Sequence, residues 1–216
     1  MIFAMTLDFF LAIFLFCFAS CATPGPNNLM LLASGVNFGF KRTLPHMMGI
    51  NFGFGVMVFL VGLGLAKLFD VYPALHAVMK WGSIAFMLYL SWKIATAAAP
   101  PARDTLSQAT QDKASPTSKP MRWWQAAMFQ WINPKGWAMG LAAISAYVPE
   151  QNGSASMPHL VVLALMFIVV NIPVGMVWTL FGVRLRTWLA DDTHRRWFNY
   201  GMAGTLVLSL VPMVWV

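Results

Sequence analysis

Thr23-Pro24-Gly25-Pro26-Asn27-Asn28 interrupts a charge-free, apolar run that extends from Phe9 to Phe40. In water such a stretch reads as a turn. Here the surrounding run is long enough to cross a bilayer, which takes about 20 apolar residues. At that depth an unpaired backbone N–H or C=O is costly, and irregular backbone survives only where it is buried in protein or lines a polar cavity. A second break, Asn133-Pro134-Lys135-Gly136, sits at a comparable place in the second half of the chain. Paired interruptions of this kind point to the binding site of a transporter.

The composition agrees with a membrane setting. Of 216 residues, 59% are hydrophobic and 10% are charged, against roughly 25% charged in an ordinary soluble domain. The chain is therefore read as an all-α, polytopic membrane protein. Its net charge of +7 does not point to nucleic acid, because the charges cluster between hydrophobic segments. They read as topology signals and lipid-headgroup contacts. Cys17 and Cys21 are four apart on one helix face and read as small buried hydrophobes. Phe18-Ala19-Ser20-Cys21 loosely resembles a lipoprotein cleavage site, but no Lys or Arg precedes Lys41, and a signal peptide needs a positively charged start.

Six segments are predicted to span: about Leu7–Leu32, Pro45–Leu65, Leu75–Thr96, Trp124–Val148, Leu160–Val183 and Trp197–Val216. Eleven of the fourteen basic residues fall in or beside the connections after segments one, three and five. These are Lys41 and Arg42; Lys93, Arg103, Lys113, Lys119 and Arg122; and Arg184, Arg186, Arg195 and Arg196. Cytoplasmic loops carry the Lys/Arg excess, which puts these loops inside and both termini on the periplasmic side of a bacterial inner membrane. Lys67 is assigned to the opposite side. The stretch 98–122, rich in Ala, Pro, Ser and Thr, reads as a flexible cytoplasmic linker. It separates a first three-helix repeat, 1–97, from a second, 123–216. Three is odd, so the second block enters the membrane in the opposite sense, the inverted-repeat plan of many secondary transporters. Thr23-Pro24 in segment one answers Asn133-Pro134 in segment four. Asn51 and Gly55 in segment two answer Asn171 and Gly175 in segment five. The expected architecture is thus six transmembrane helices as two inverted three-helix repeats, with helices one and four broken.

Proline is well tolerated at the first helical position, above all after an N-cap Thr or Asn. Thr23-Pro24 and Asn133-Pro134 both have that pattern, so each break is expected to start a half-helix whose N–H groups point into the gap. A helix N-terminus favours anions. Gly25 and Gly136 allow close approach, and Asn27 and Asn28 can donate and accept hydrogen bonds. Lys135 lies twelve residues past Trp123, about 18 Å along a helix, near the middle of a ~30 Å core. Either it supplies the positive charge of a binding pocket, or it pairs with carbonyls freed by Pro134 and only holds the fold. The substrate-binding candidates are Thr23, Pro24, Gly25, Pro26, Asn27, Asn28, Asn51, Asn133, Pro134, Lys135, Gly136 and Asn171. No Asp or Glu lies deep in a segment, since Asp8, Asp70 and Glu150 fall at outer ends. A carboxylate ligand without a cationic side chain fits, its ammonium resting on carbonyls, Asn side chains or aromatic faces such as Trp131, Trp137, Phe52, Phe54 or Trp178. No cofactor or metal is expected.

TPGPNNLMLLASGVNFGF and Gly49-Ile50-Asn51-Phe52-Gly53 resemble the first block of the LysE/RhtB amino-acid exporters. Leu90-Ser91-Trp92-Lys93-Ile94-Ala95 resembles the end of their third helix, and Phe129-Gln130-Trp131-Ile132-Asn133-Pro134-Lys135 their fourth-helix signature. The TPGPNN form and the WKIAT segment look most like the cysteine/O-acetylserine exporter branch. The resemblance implies efflux of amino acids or close derivatives, driven by the proton gradient, with a small amino acid, protons and the bilayer as partners and a homodimer allowed. The proton carrier is left among Lys135, His46 and the substrate itself, and His46 otherwise reads as an interfacial polar residue.

Two other classes remain. An intramembrane enzyme needs a His/Glu/Asp cluster or an activated nucleophile at depth, and neither is evident, so the chain is read as not an enzyme. The cluster Asp191-Asp192-Thr193-His194-Arg195-Arg196 reads as a solvated loop at the headgroups. A channel subunit would line its pore with charged rings or carbonyl filters.

Overall fold

The computed structural model describes residues 5–65, 73–96, 120–151 and 154–211. Most of the expected linker, with Arg103, Lys113 and Lys119, lies outside the described residues, as do Lys67 and Asp70. Eight α-helices are present among the described residues: α1 Leu7–Ala22, α2 Pro26–Phe38, α3 Phe40–Leu60, α4 Pro73–Ala95, α5 Trp123–Phe129, α6 Pro134–Tyr147, α7 Met157–Leu185 and α8 Asp192–Leu208. A π-helical turn, Val61–Leu65, prolongs α3, and 3-10 turns fall at Gln130–Ile132 and Trp188–Ala190. The one small sheet is an antiparallel pair, β1 Glu150–Gln151 and β2 Ser154–Ala155.

Among the described residues, two helices are long and apolar enough to cross a membrane: α3 with its π-turn, Phe40–Leu65, and α7. The pair α1 and α2, bent by 57° at the first break, makes a third if counted as one span. The other predicted segments also fall on helices. The third is α4, which carries Lys80 and Lys93; the fourth is α5 and α6, divided at Asn133; the sixth is the 17-residue α8.

The connection after the first segment differs from the sequence reading. Lys41 and Arg42 were expected in a loop and Pro45 at the start of the next span. In fact Gly39 alone joins α2 to α3, at φ 77° and ψ 172°. That left-handed φ suits glycine and reverses the chain in one residue. Lys41 and Arg42 therefore sit in the first turn of α3, and Pro45 lies inside it.

The core is built around α7, which packs against α1, α2 and α3. On α1 the stripe Phe9, Ile13, Cys17 and Cys21 faces inward, at the four-residue spacing that stacks side chains on one helix face. It meets Phe54, Met57 and Val58 of α3 and Leu160, Leu163 and Phe167 of α7. Both cysteines are free and buried, as small hydrophobes. The opposite face of α1, with Phe10, Leu11, Phe14, Leu15 and Phe18, is exposed.

Two helix crossings depend on missing side chains. On α3, Gly49 and Gly53 lie against Trp123, Ala126 and Ala127 of α5. On α2 and α7, Gly35 and Gly182 each face backbone of the other helix, at Thr179 and Leu32. In lipid no hydrophobic force draws helices together, so small residues that let backbones touch carry the packing. A Cβ at Gly53 would stand 2.5 Å from Ala127 Cα, and backbone cannot give way as a flexible side chain can. Gly53→Val should cost about 2 kcal/mol, read as a lowered apparent melting temperature in detergent. Gly201 has nothing within 4 Å of its would-be Cβ, so Gly201→Ala should be neutral or slightly stabilising in the same assay.

Candidate functional site

The first break separates α1 from α2 by Thr23, Pro24 and Gly25. Thr23 and Pro24 were expected to cap and start the second half-helix. Instead Thr23 closes α1: its N–H donates to Ala19 O at 3.3 Å, and its Oγ1 to Ser20 O at 2.8 Å. The hydroxyl is turned back and is not free to cap α2. Gly25 is the N-cap, in extended backbone, and Pro26 takes the first helical position, where its lacking N–H is no loss. The second break follows the expected pattern, with Asn133 as N-cap and Pro134 first in α6. The Asn133 side chain makes no capping bond.

Every helix end leaves its last carbonyls without intrahelical partners, and at the end of α1 Thr23 and Pro24 are exposed. At the end of α1, two side chains fill this need. Asn28 Nδ2 donates to Cys21 O at 2.8 Å and to Thr23 O at 2.9 Å. Lys135 Nζ donates to Thr23 O at 2.6 Å, Thr23 Oγ1 at 2.8 Å and Pro24 O at 3.3 Å. The lysine of the second break thus sits on the carbonyls of the first, not on those freed by Pro134. A cation at a helix C-terminus is favoured by the helix dipole. Gly25 makes room for it, since a Cβ there would stand 2.6 Å from Lys135 Cδ.

Two amide pairs join the halves further. Asn27 Nδ2 donates to Gln130 Oε1 at 2.8 Å, and Gln130 Nε2 returns a bond to Asn27 Oδ1 at 3.2 Å. Asn171 Nδ2 on α7 donates to Asn51 Oδ1 on α3 at 2.7 Å. The asparagines that the sequence matches between the halves therefore touch each other. Among the described residues, Asn51 Nδ2 and Asn133 Oδ1 are buried amide atoms with no hydrogen-bond partner.

These groups surround a cavity of about 30 Å³, room for roughly one water. Gly25, Pro26, Asn27, Asn28, Asn133, Lys135, Gly136 and Asn171 line it. The other candidates sit just behind: Thr23 and Pro24 hold Lys135, Asn51 holds Asn171, and Pro134 starts α6. Ser20, Cys21, Phe54 and Met139 complete the wall, and none of the lining residues is acidic. Of the aromatic candidates only Phe54 reaches it. Trp131, Trp137 and Trp178 pack against the core, and Phe52 is half exposed. Gln130, fully buried, is not among the sequence candidates; a glutamine inside an apolar segment, three residues before Asn133, was the available signal.

Two outlying expectations resolve differently. His46, read as interfacial, is only 2% exposed, and neither ring nitrogen has a hydrogen-bond partner among the described residues. The Asp191–Arg196 cluster opens α8. Asp191 is its N-cap, accepting from Thr193 N at 3.0 Å and His194 N at 2.9 Å. The backbone N–H of His194 and the cations nearby hold the Asp191 carboxyl below its ordinary range. Among the described residues no three His, Cys, Asp or Glu side chains are grouped to hold a metal ion.

Apolar helices, two of them long enough to cross a membrane among the described residues, and two breaks that meet at a polar seam define a helical membrane protein. The chain belongs to the LysE type translocator family, which matches residues 6–211. It is 33% identical over 130 residues to the cysteine/O-acetylserine efflux proteins of Salmonella paratyphi A and Salmonella typhi, a match covering 60% of this chain and 60% of each relative. It is 31% identical over 135 residues to the cysteine/O-acetylserine efflux protein of Escherichia coli K12, covering 62% of this chain and 63% of that one. The chain thus spans about three fifths of the length of these relatives. No solved structure matches.

The Asn51–Asn171 bond yields a prediction. Asn51→Leu leaves the buried Asn171 amide unpaired, at a cost of about 1–3 kcal/mol. Asn51→Leu/Asn171→Leu removes both partners and should melt closer to wild type than the sum of the single changes, measured as a double-mutant cycle of melting temperatures in detergent.

Proposed function

We propose that the chain is a secondary transporter that exports a small neutral amino acid or derivative from the cytoplasm across a bacterial inner membrane. Transport runs by alternating access at the two breaks and is coupled to protons. The bundle is two inverted three-helix repeats, 1–97 and 123–216, joined by a cytoplasmic linker at 98–122, with both termini periplasmic.

The observation that carries this reading is the bond from Lys135 to Thr23 and Pro24. It already pairs an ammonium with carbonyl oxygens across the seam. A zwitterionic amino acid can enter that pair by exchange. Its carboxylate takes Lys135 in a charge-assisted bond, and its ammonium takes the vacated carbonyls and the unpartnered Asn133 Oδ1. The seam then no longer depends on direct contact between the halves, and they can separate. The 30 Å³ cavity suits this order of events, because it is too small for an amino acid until the breaks part. The lack of an acidic lining residue disfavours a cationic side chain. The names of the relatives make cysteine and O-acetylserine the first substrates to test.

The test is counterflow in proteoliposomes with a panel of neutral amino acids, cysteine and O-acetylserine, and wild type beside Lys135→Ala and Asn133→Ala. Wild type should show saturable exchange of one or a few of them, faster with an imposed pH gradient. Lys135→Ala should lose exchange while keeping its size-exclusion profile, and Asn133→Ala should raise KM about tenfold, as expected for losing one hydrogen bond to a charged group. Exchange unaffected by Lys135→Ala overturns the role of the lysine. Conductance without saturation overturns alternating access.

A further inference from the structure

The cavity at the breaks has two kinds of wall. Asn27, Asn28, Asn133, Lys135 and Asn171 make a polar one. Cys21, Phe54 and Met139 make the other, and these three belong to one apolar cluster, the core around α7. The two walls meet at Gly136, where a Cβ would stand 3.5 Å from Phe54 Cε2 and 3.6 Å from Asn133 Nδ2. Met139 follows Lys135 by four residues on α6, the spacing that puts two side chains on one helix face. Phe54 is 3% exposed, and its ring forms a T-shaped pair with Phe167 of α7, centroids 4.9 Å apart. Phe167 is itself fully buried and makes a second T-shaped pair with Phe16 of α1 at 6.5 Å. Rings packed to this density have nowhere to turn aside. Met139 differs: it is half-buried, and an unbranched methionine adapts its shape to what lies against it.

The polar wall can exchange hydrogen-bond partners when an amino acid enters, whereas the apolar wall has none to exchange. The carboxylate takes Lys135, and the ammonium takes the carbonyls of Thr23 and Pro24 with Asn133 Oδ1. The group left over is the side chain, and the surface left over is Cys21, Phe54 and Met139. We propose that these three residues form the side-chain subsite, with Phe54 as its fixed end, and that they restrict the cargo to a short, unbranched side chain. The breaks can part, but the Phe54 wall stays with the core. Beside it the cavity of about 30 Å³ has room for roughly one small group, and Met139 yields a little more. A longer side chain has to displace Phe54 and, with it, the packing on Phe167. The proposal rests on the export reading for where the carboxylate and ammonium sit.

The test is a series of amino acids that differ only in side-chain length: alanine, 2-aminobutyrate, norvaline and norleucine. Each is titrated into the full chain in detergent and followed by thermal shift. Wild-type affinity should fall about tenfold from 2-aminobutyrate to norleucine, because the added methylenes meet a packed wall. Phe54→Ala should bind norleucine about tenfold more tightly than wild type does, the worth of two methylenes newly buried, with alanine little changed. Because Phe54→Ala also empties part of the core, Met139→Ala repeats the test at a half-buried position and should shift preference toward norleucine in the same sense. Gly136→Ala works in the opposite direction. Its Cβ meets Met57, Phe54 and Asn133 only at ordinary contact distance, so it narrows the space and should weaken 2-aminobutyrate more than alanine. If Phe54→Ala and Met139→Ala weaken all four ligands equally, the wall only supports the seam and the proposal fails. It fails too if wild type binds none of the four, or binds norleucine as tightly as 2-aminobutyrate. Counterflow with the same series separates this proposal from the export reading: KM values should rank as the affinities do. The expected ranking in binding, in a protein that exchanges none of the four, would overturn export and leave the subsite standing.

Discussion

One ammonium group ties together the two breaks of this bundle. The end of α1 leaves carbonyl oxygens without intrahelical partners, and Thr23 and Pro24, which carry them, are exposed at the break. Lys135 reaches across from the start of α6 and satisfies Thr23 and Pro24 together. Hydrogen bonds from a charged donor are roughly twice as strong as neutral ones, so one side chain does what several amides would otherwise have to do. Much of the local sequence follows from that contact. Glycine at position 25 leaves room for the lysine stem, which a Cβ would displace. Asn28 covers the Cys21 carbonyl, which the lysine does not reach, and shares Thr23 O with it. Pro26 and Pro134 lack the N–H that would otherwise be left over at each restart.

The rest of the bundle supports this seam at close range. α7 touches α1, α2 and α3 and carries Asn171 to its bond with Asn51. Its crossing with α2 is tight because Gly35 and Gly182 meet backbone directly. The crossing of α3 with α5 is tight for the same reason at Gly49 and Gly53, and α5 leads straight into the second break. Close backbone packing of this kind leaves few ways to shift a helix gradually.

Much of the site was legible before any coordinates. Two prolines, a glycine and two asparagines inside a charge-free run, answered by Asn-Pro-Lys-Gly in the second half, marked the groups that now line one cavity. The match of Asn51 to Asn171 anticipated residues that hydrogen-bond each other. Three details were misjudged, each because a local rule has more than one solution. Thr-Pro and Gly-Pro both make acceptable helix starts, and the choice went to Gly25-Pro26 because the Thr23 hydroxyl bonds back to Ser20. Basic residues after an apolar run suggest a loop, but one glycine at positive φ was enough to turn the chain. His46 looked interfacial by its place in the chain, whereas the packing around α3 buries it.

The sequence by itself determined the class: apolar segments too long and too poor in charge for a soluble domain, broken at two matching places where backbone groups would need partners. Periodicity and composition carry that information because they depend only on neighbours along the chain. Only the tertiary structure decided who those partners are. That Lys135 serves the carbonyls of the other half and that Gln130 pairs with Asn27 are contacts between residues distant in sequence. They exist because glycine crossings bring separate helices within hydrogen-bond reach, and no local pattern records that distance.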